Sequence, residues 1–394
     1  MKQTPSAPGD LTSGAHHAKF SLEIPLGFFY FFYFSLVGVY IIFMPKVLLS
    51  FGYSKAEIGI IYAAAPFMRF LIPFVFRRFI TLDHSVFLIS LTLTLLGSLI
   101  FLGTIENFWL YLLANLLFGA AMGISLPYVE TISLHTLSKS RYGKVRLWGS
   151  IGFTVIALWL GKVLTIPYEA LYYLSTIALL TLLSGAMIAY LDRKTTMETL
   201  EENRSFSLLL YPWFWLSVFL MQVSFGGFYG FFTIYETAHG LSLEITSWLW
   251  SFGVLCEIVM LYFQGPLLQR NLLTILKAAT LVTAIRWLIL YLFPESLPLT
   301  FASQSLHAVS FALYHTAAIS YVFTLYTQKK LAQQFFLGIA FGLGGSVGAL
   351  LAGQIYGEKM FLIEAVIVLF ALAALFVHAG RKTDLNRETE SHVL

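Results

Sequence analysis

The chain has 394 residues, of which 58% are hydrophobic and only 11% charged, with a mean hydropathy of +0.79. Soluble domains carry roughly a quarter charged residues, so too little polar side chain is present to coat a water-facing surface, and a soluble enzyme, a nucleic-acid binder and a disordered scaffold are excluded. The single cysteine, Cys256, allows no internal disulfide and no thiolate zinc site; no metal or cofactor is expected, and the formal charge of +4 matters less than where the charges sit. A multi-spanning membrane protein remains.

A bilayer core needs about 20 apolar residues per helix. In chain order such stretches fall at 24–45, 57–76, 84–104, 108–136, 146–165 and 168–191, then at 208–235, 244–264, 272–293, 297–326, 333–356 and 359–378. Runs such as Leu91–Leu102 are continuously apolar, which excludes the alternating pattern of a membrane β-barrel. The expected fold is an all-α membrane protein of twelve transmembrane helices in two six-helix halves. Residues 1–22 lack the apolar middle and cleavage site of a secretory signal and read as a cytoplasmic tail. Residues 23–191 form the N-terminal half, 192–207 a charged cytoplasmic linker, 208–378 the C-terminal half and 379–394 a second cytoplasmic tail. With both termini inside, 18 of the 24 Lys and Arg fall on the cytoplasmic side and 4 on the other, while Arg69 and Arg286 lie within spans; that bias is the positive-inside rule. Shifting the chain by about 187 residues superposes the halves, a repeat typical of secondary transporters.

An ionisable group in the bilayer centre is costly and asks for a function. Arg69 in span two and Glu257 in span eight occupy nearly equivalent places under the repeat, and Arg286 lies midway along span nine. In span ten Gln304, His307, Phe311 and His315 fall within about 60° on one helix face. Together they suggest a hydrated cavity with groups able to exchange a proton; interhelical locking is the blander alternative for each alone. Glu130, late in span four, and Arg146, at the start of span five, meet if the hairpin folds near Ser140, and an arginine fork suits a carboxylate or sugar hydroxyls. Gln222, Tyr229 and Gln304 complete the candidate substrate lining with Glu130, Arg146 and Arg69; Glu257, Arg286, His307 and His315 are the candidates for proton coupling. The aromatic run Phe28–Phe34 reads as lipid-facing or packing, Gly149, Gly152 and the glycines of span eleven as close-packing positions, and Glu364 carries no assigned role. No phosphate-binding loop of the G-x-x-x-x-G-K-[ST] kind occurs, so an ion gradient, most simply of protons, is left to drive uphill movement.

Tyr142-Gly143-Lys144-Val145-Arg146-Leu147-Trp148-Gly149-Ser150, Arg69-Phe70, Trp250-Ser251-Phe252-Gly253 before Glu257, Arg286-Trp287, Leu306-His307, His315 and Gly344-Gly345-Ser346 together resemble the major facilitator superfamily, and within it the branch around the 3-phenylpropionate permease of enteric bacteria. The likeness spans nearly the whole chain. More distantly it is similar to the lactose/proton symporters. That likeness implies a substrate glutamate and arginine at Glu130 and Arg146, a coupling arginine at Arg286 and a coupling histidine at His307. Ser310 stands where those symporters carry a glutamate, and Phe76–Asp83 departs from the superfamily's usual loop, so Glu257 is the remaining choice of proton carrier. The expected protein is a monomeric, proton-coupled symporter in the bacterial inner membrane, surrounded by lipid, importing a small organic solute by alternating access. An aromatic carboxylate such as 3-phenylpropionate is the first choice and a sugar or nucleoside the second. A non-transporting sensor or assembly protein and a drug exporter are the rivals from other classes.

Overall fold

The structure is a computed structural model that describes residues 12–79, 83–192 and 207–391. The expectations for the start of the N-terminal tail, for linker residues 193–206 and for part of the turn 76–83 fall outside those residues.

Every described secondary element is helical, as the bilayer requires when no water is present to satisfy backbone amides. Ten stretches are long and apolar enough to cross a membrane by length and composition: α1 Leu22–Ser50, α3 His84–Thr104, α4 Phe108–Thr136, α6 Glu169–Leu191, α7 Pro212–Ala238, α8 Leu243–Phe263, α9 Leu272–Leu292, α10 Leu297–Leu325, α11 Leu331–Ile355 and α12 Met360–Arg381. Two more helices of 25 residues, α2 Lys55–Phe79 and α5 Lys139–Val163, are interleaved with them. Both carry several charges, which is why their apolar signal is weaker. The side chains of Asp83, Asn107, Ser242 and Asn271 accept hydrogen bonds from first-turn amides and start α3, α4, α8 and α9.

Three expected boundaries move. The helix of α1 already begins at Thr12, inside the stretch expected as a tail. The helix of α12 continues to Ser391, so the stretch expected as a C-terminal tail is helical up to that residue. α5 starts at Lys139 rather than at 146, because Ser138 ends the preceding turn in an extended conformation; Arg146 therefore sits two turns inside the helix.

Packing follows one scheme twice. In the first six helices α1 lies against α5 and α6, and α4 against α2 and α3; in the second six α7 lies against α11 and α12, and α10 against α8 and α9. The turns after α1 and α7 both close on a glycine with positive φ, Gly52 at 84° and Gly240 at 87°, a conformation that favours residues without a Cβ. Helices α1 and α7 also leave regular geometry at equivalent depths, through a π turn at Val39–Phe43 and a break at Ser224–Phe225.

The two sets of six meet along α2–α11 and α5–α8. Contact is close at the end that carries the Gly52 and Gly240 turns, the glycine-turn end, and along α2–α11 it continues to Phe70 and Gly342. A Cβ on Gly59 would lie 2.8 Å from the Cα of Gly353, and one on Gly161 would lie 2.6 Å from the Cβ of Ser247. Small residues let these backbones approach and seal the glycine-turn end. The opposite end, where α6 runs toward residues 193–206, is called the linker end.

Candidate functional site

Along α5 and α8 the two halves separate gradually toward the linker end. Gly161 touches Ser247, and about two turns further along α5 and one along α8 Phe153 faces Trp250 with ring centroids 6.4 Å apart. Two turns beyond those rings, on the same helix faces, come Arg146 and Glu257. They do not pair directly, yet Arg146 lies within electrostatic reach of Glu257 across the gap. Their side chains keep 32% and 22% exposure, so neither is sealed within the bundle.

On the first half, Arg146 Nε donates to Glu130 Oε1 at 2.9 Å, and the Tyr142 hydroxyl donates to the other carboxylate oxygen. The expected meeting of Glu130 and Arg146 therefore occurs, with Tyr142 as a third member. The Arg146 guanidinium also lies over the rings of Phe34 and Tyr30, at 4.2 and 5.2 Å, which orients its fork and adds cation–π attraction. The reading of Phe28–Phe34 as lipid-facing or packing gains a detail at these two rings: Tyr30 and Phe34 pack beneath a charged candidate ligand group. Gly149 makes this possible, since a Cβ there would meet Phe34 and the Arg146 fork at 2.7 and 3.0 Å.

On the second half, Arg286 is fully buried. Its fork donates to His307 Nδ1 at 3.0 Å, Ser310 Oγ at 3.3 Å and Gln304 Oε1 at 3.2 Å, and it stacks on Phe228 and Trp287. Arginine can only donate, so His307 Nδ1 accepts and the Nε2 of the neutral ring carries the hydrogen. That Nε2 faces Glu257 Oε2 at 3.7 Å. Arg286, His307 and Glu257 thus form one chain that runs from the buried core to the water-accessible cleft. Ser310, where the lactose/proton symporters carry a glutamate, serves as a hydrogen-bond acceptor for the arginine.

Arg69 is exposed and lies two turns along α2 from Tyr62, whose ring stacks on Tyr40 and whose would-be neighbour across the halves is Gly230. The same stripe turns Arg69 toward the gap. The phenols of Tyr33 and Tyr40 from one half and Tyr229 from the other lie within its electrostatic reach. Tyr229 also lies within electrostatic reach of Glu257 and Arg286. Gln304 is buried and committed to Arg286. His315 and Gln222 stand apart from that chain. They line a small cavity between α7, α10 and α11 with Phe225, Phe311, Phe336 and Phe341. His307, Phe311 and His315 do stack in one row, carried by the π turn Ala308–Leu313, but His315 makes no contact with Arg286 or Glu257. Among the described residues no cluster suited to a metal ion occurs.

Three side chains escaped the sequence. Tyr142 was visible only as part of a motif, and nothing in its spacing marked it as a ligand of Glu130. Glu364 and Glu236 are completely or almost completely buried acids whose depth cannot be read from position near a span end.

This arrangement, two six-helix bundles closed at one end and lined at the other by ionisable groups, is that of a membrane transporter of the major facilitator kind, not of an enzyme. Residues 24–365 match the model of the MFS_1 like family, and the chain belongs to that family. It is 28% identical over 370 residues to the "Probable 3-phenylpropionic acid transporter" of Escherichia coli (strain K12), covering 88% of this chain and 95% of the relative. It is 24% identical to the "Uncharacterized transporter YwbF" of Bacillus subtilis (strain 168), covering 73% and 74%. Among solved structures, the nucleoside transporter NupG superposes with a TM-score of 0.79 at 16% identity, over 91% of this chain and 98% of that one. FucP in the outward conformation gives 0.58 at 15% identity, over 92% and 99%. These last two likenesses concern the fold. The chain is accordingly a multi-pass protein of the bacterial inner membrane.

Proposed function

We propose that the protein is a proton-coupled symporter that imports a small organic acid, with an aromatic carboxylate such as 3-phenylpropionate as the first candidate. All twelve long helices would span the bilayer with both termini in the cytoplasm, which makes the linker end cytoplasmic and the present arrangement inward-open. The carrying observation is the chain Glu257–His307–Arg286 facing Arg146 and Arg69 across the gap between the halves. Charges this deep are retained only where water and a charged ligand use them. A carboxylate solute would meet Arg69 or the fork of Arg146, its ring resting by the half-buried Phe34 and Tyr229. The relative of 28% identity supports this choice of solute.

A sugar or nucleoside is the second reading, favoured by one feature. Glu130, Arg146 and Tyr142 are already mutually hydrogen-bonded, which leaves a clamp of donors and acceptors suited to hydroxyl groups.

Uptake into proteoliposomes under an imposed proton gradient, compared for 3-phenylpropionate, a hexose and a nucleoside, separates the two. Accumulation of the acid alone supports the first reading, and accumulation of a neutral solute replaces it with the second. Downhill uptake that ignores the gradient removes proton coupling.

A further inference from the structure

Arg286 is a permanent cation and fully buried, and its hydrogen-bond partners His307, Ser310 and Gln304 are all uncharged acceptors. A buried guanidinium without a counter-charge is strongly unfavourable, so a carboxylate must compensate it. The structure offers two. Glu257 reaches it through His307. Glu364 of α12 is completely buried and within electrostatic reach of Arg286.

Glu364 is also tied to the irregular part of α7. Its Oε1 accepts the backbone N–H of Gly227, in the first turn of the second segment of α7, Gly226–Ala238, where the half-helix presents its positive end. A Cβ on Gly227 would come within 2.6 Å of that oxygen, so glycine is needed for the contact. The other oxygen of Glu364 has no hydrogen-bond partner. The elements packed on this part of α12 are α9 and α7. From α9 the charged group is Arg286. From α7 the titratable groups are Tyr229, Tyr235, whose ring packs on Phe361, and Glu236, about 13 Å further along the helix; among the described residues of these two helices no second cation is placed at the site.

We propose that Glu364 is a second proton-exchanging carboxyl, which alternates with Glu257 as the counter-charge of Arg286. One guanidinium balances one carboxylate, so when one of the two acids is ionised the other holds a proton. Glu257 is open to the cleft at the linker end, whereas Glu364 is sealed and lies about one turn from the opposite end of α12. Ionised, it is held by the Gly227 amide and the start of the half-helix; protonated, it loosens that hold on the break in α7. The inference rests on proton coupling as proposed above and adds to it a second acid and a link to helix geometry.

Glu364→Gln keeps an acceptor for the Gly227 amide and removes the charge. In proteoliposomes it is expected to retain solute exchange, which also shows that it folds, and to lose proton-driven accumulation of 3-phenylpropionate. Wild-type accumulation by this variant overturns the proposal. Infrared titration of the purified full-length protein tests the pairing without transport. In a Glu236→Gln background, the protonated-carboxyl C=O band present at neutral pH should disappear in Glu257→Gln and equally in Glu364→Gln, because each remaining acid then balances Arg286. Survival of the band in either variant overturns the shared counter-charge. Absence of proton-driven accumulation in the wild type would instead remove the transport reading, while the infrared result still decides the pairing.

Discussion

Arg146 illustrates how much of a binding group's worth lies in orientation. Its charge alone would be satisfied by lysine, but the planar fork, the bond to Glu130 and the stacking on Phe34 and Tyr30 are available only to arginine. Charge-assisted hydrogen bonds contribute about 1.5–3 kcal/mol each, which corresponds to roughly 10- to 100-fold in affinity. Arg146→Lys is therefore expected to weaken solute binding by about that factor, measured by calorimetry or by the solute's protection of the purified protein against heating. Glu130→Gln should do the same, since it loses the anion that holds both Arg146 and Tyr142. Binding unchanged in both variants would move the pocket elsewhere. For Glu257, the neutral variant Glu257→Gln is expected to keep solute exchange and lose pH-driven accumulation, because the acid facing His307 is the one open to water. Equal accumulation in mutant and wild type would take Glu257 out of the coupling path.

Among the helices, glycines separate two kinds of contact that look alike in the sequence. Gly152 packs α5 on α1 within one half, and a Cβ there would come 2.1 Å from the carbonyl oxygen of Phe31. Gly59 and Gly353 pack α2 on α11 between the halves. Gly152→Ala forces two helices apart in every state of the transporter, at a cost of about 1–3 kcal/mol, and should lower the melting temperature. Gly353→Ala strains only the state in which the glycine-turn end is closed, so it should shift the balance of states with a smaller loss of thermal stability, read as increased labelling of a cysteine placed at that end. Helix positions were legible from apolar runs alone, since lipid leaves a backbone few choices. The meeting of Glu130 with Arg146 was legible too, because a short hairpin fixes which residues of neighbouring helices share a depth. The π turns, the break in α7 and the burial of Glu364 were not. They depend on contacts between helices distant in sequence, and a span-end acid such as Glu106 or Glu364 looks the same until its neighbours are known. His315 shows the same limit: one helix face placed it with His307, and the packing of α11 against α10 put it in a separate aromatic cavity.

For the whole molecule the decisive property is that small residues pack the halves backbone to backbone at the glycine-turn end. If transport works by rocking about a central site, fixing the glycine-turn end must stop it, whereas a rigid pore or a sensor would be indifferent. Tyr62 of α2 and Gly230 of α7 belong to different halves, and a Cβ on Gly230 would lie 3.9 Å from the Cβ of Tyr62. Disulfides span Cβ separations near 3.8 Å, so Tyr62→Cys with Gly230→Cys can be bridged without moving the backbone. Cys256 is the sole native cysteine, and Cys256→Ser supplies a background free of competing thiols. The oxidised pair is expected to abolish solute exchange and net uptake together, because the linker-side opening stays available but the opposite opening never forms. Binding from the linker side should survive, as Arg146, Glu130 and Glu257 stand on α5, α4 and α8, none of which carries the bridge. Reduction should restore transport to the level of the unoxidised pair. Full exchange by the oxidised, cross-linked protein would mean that the halves need not separate there, and alternating access about this site would have to be abandoned.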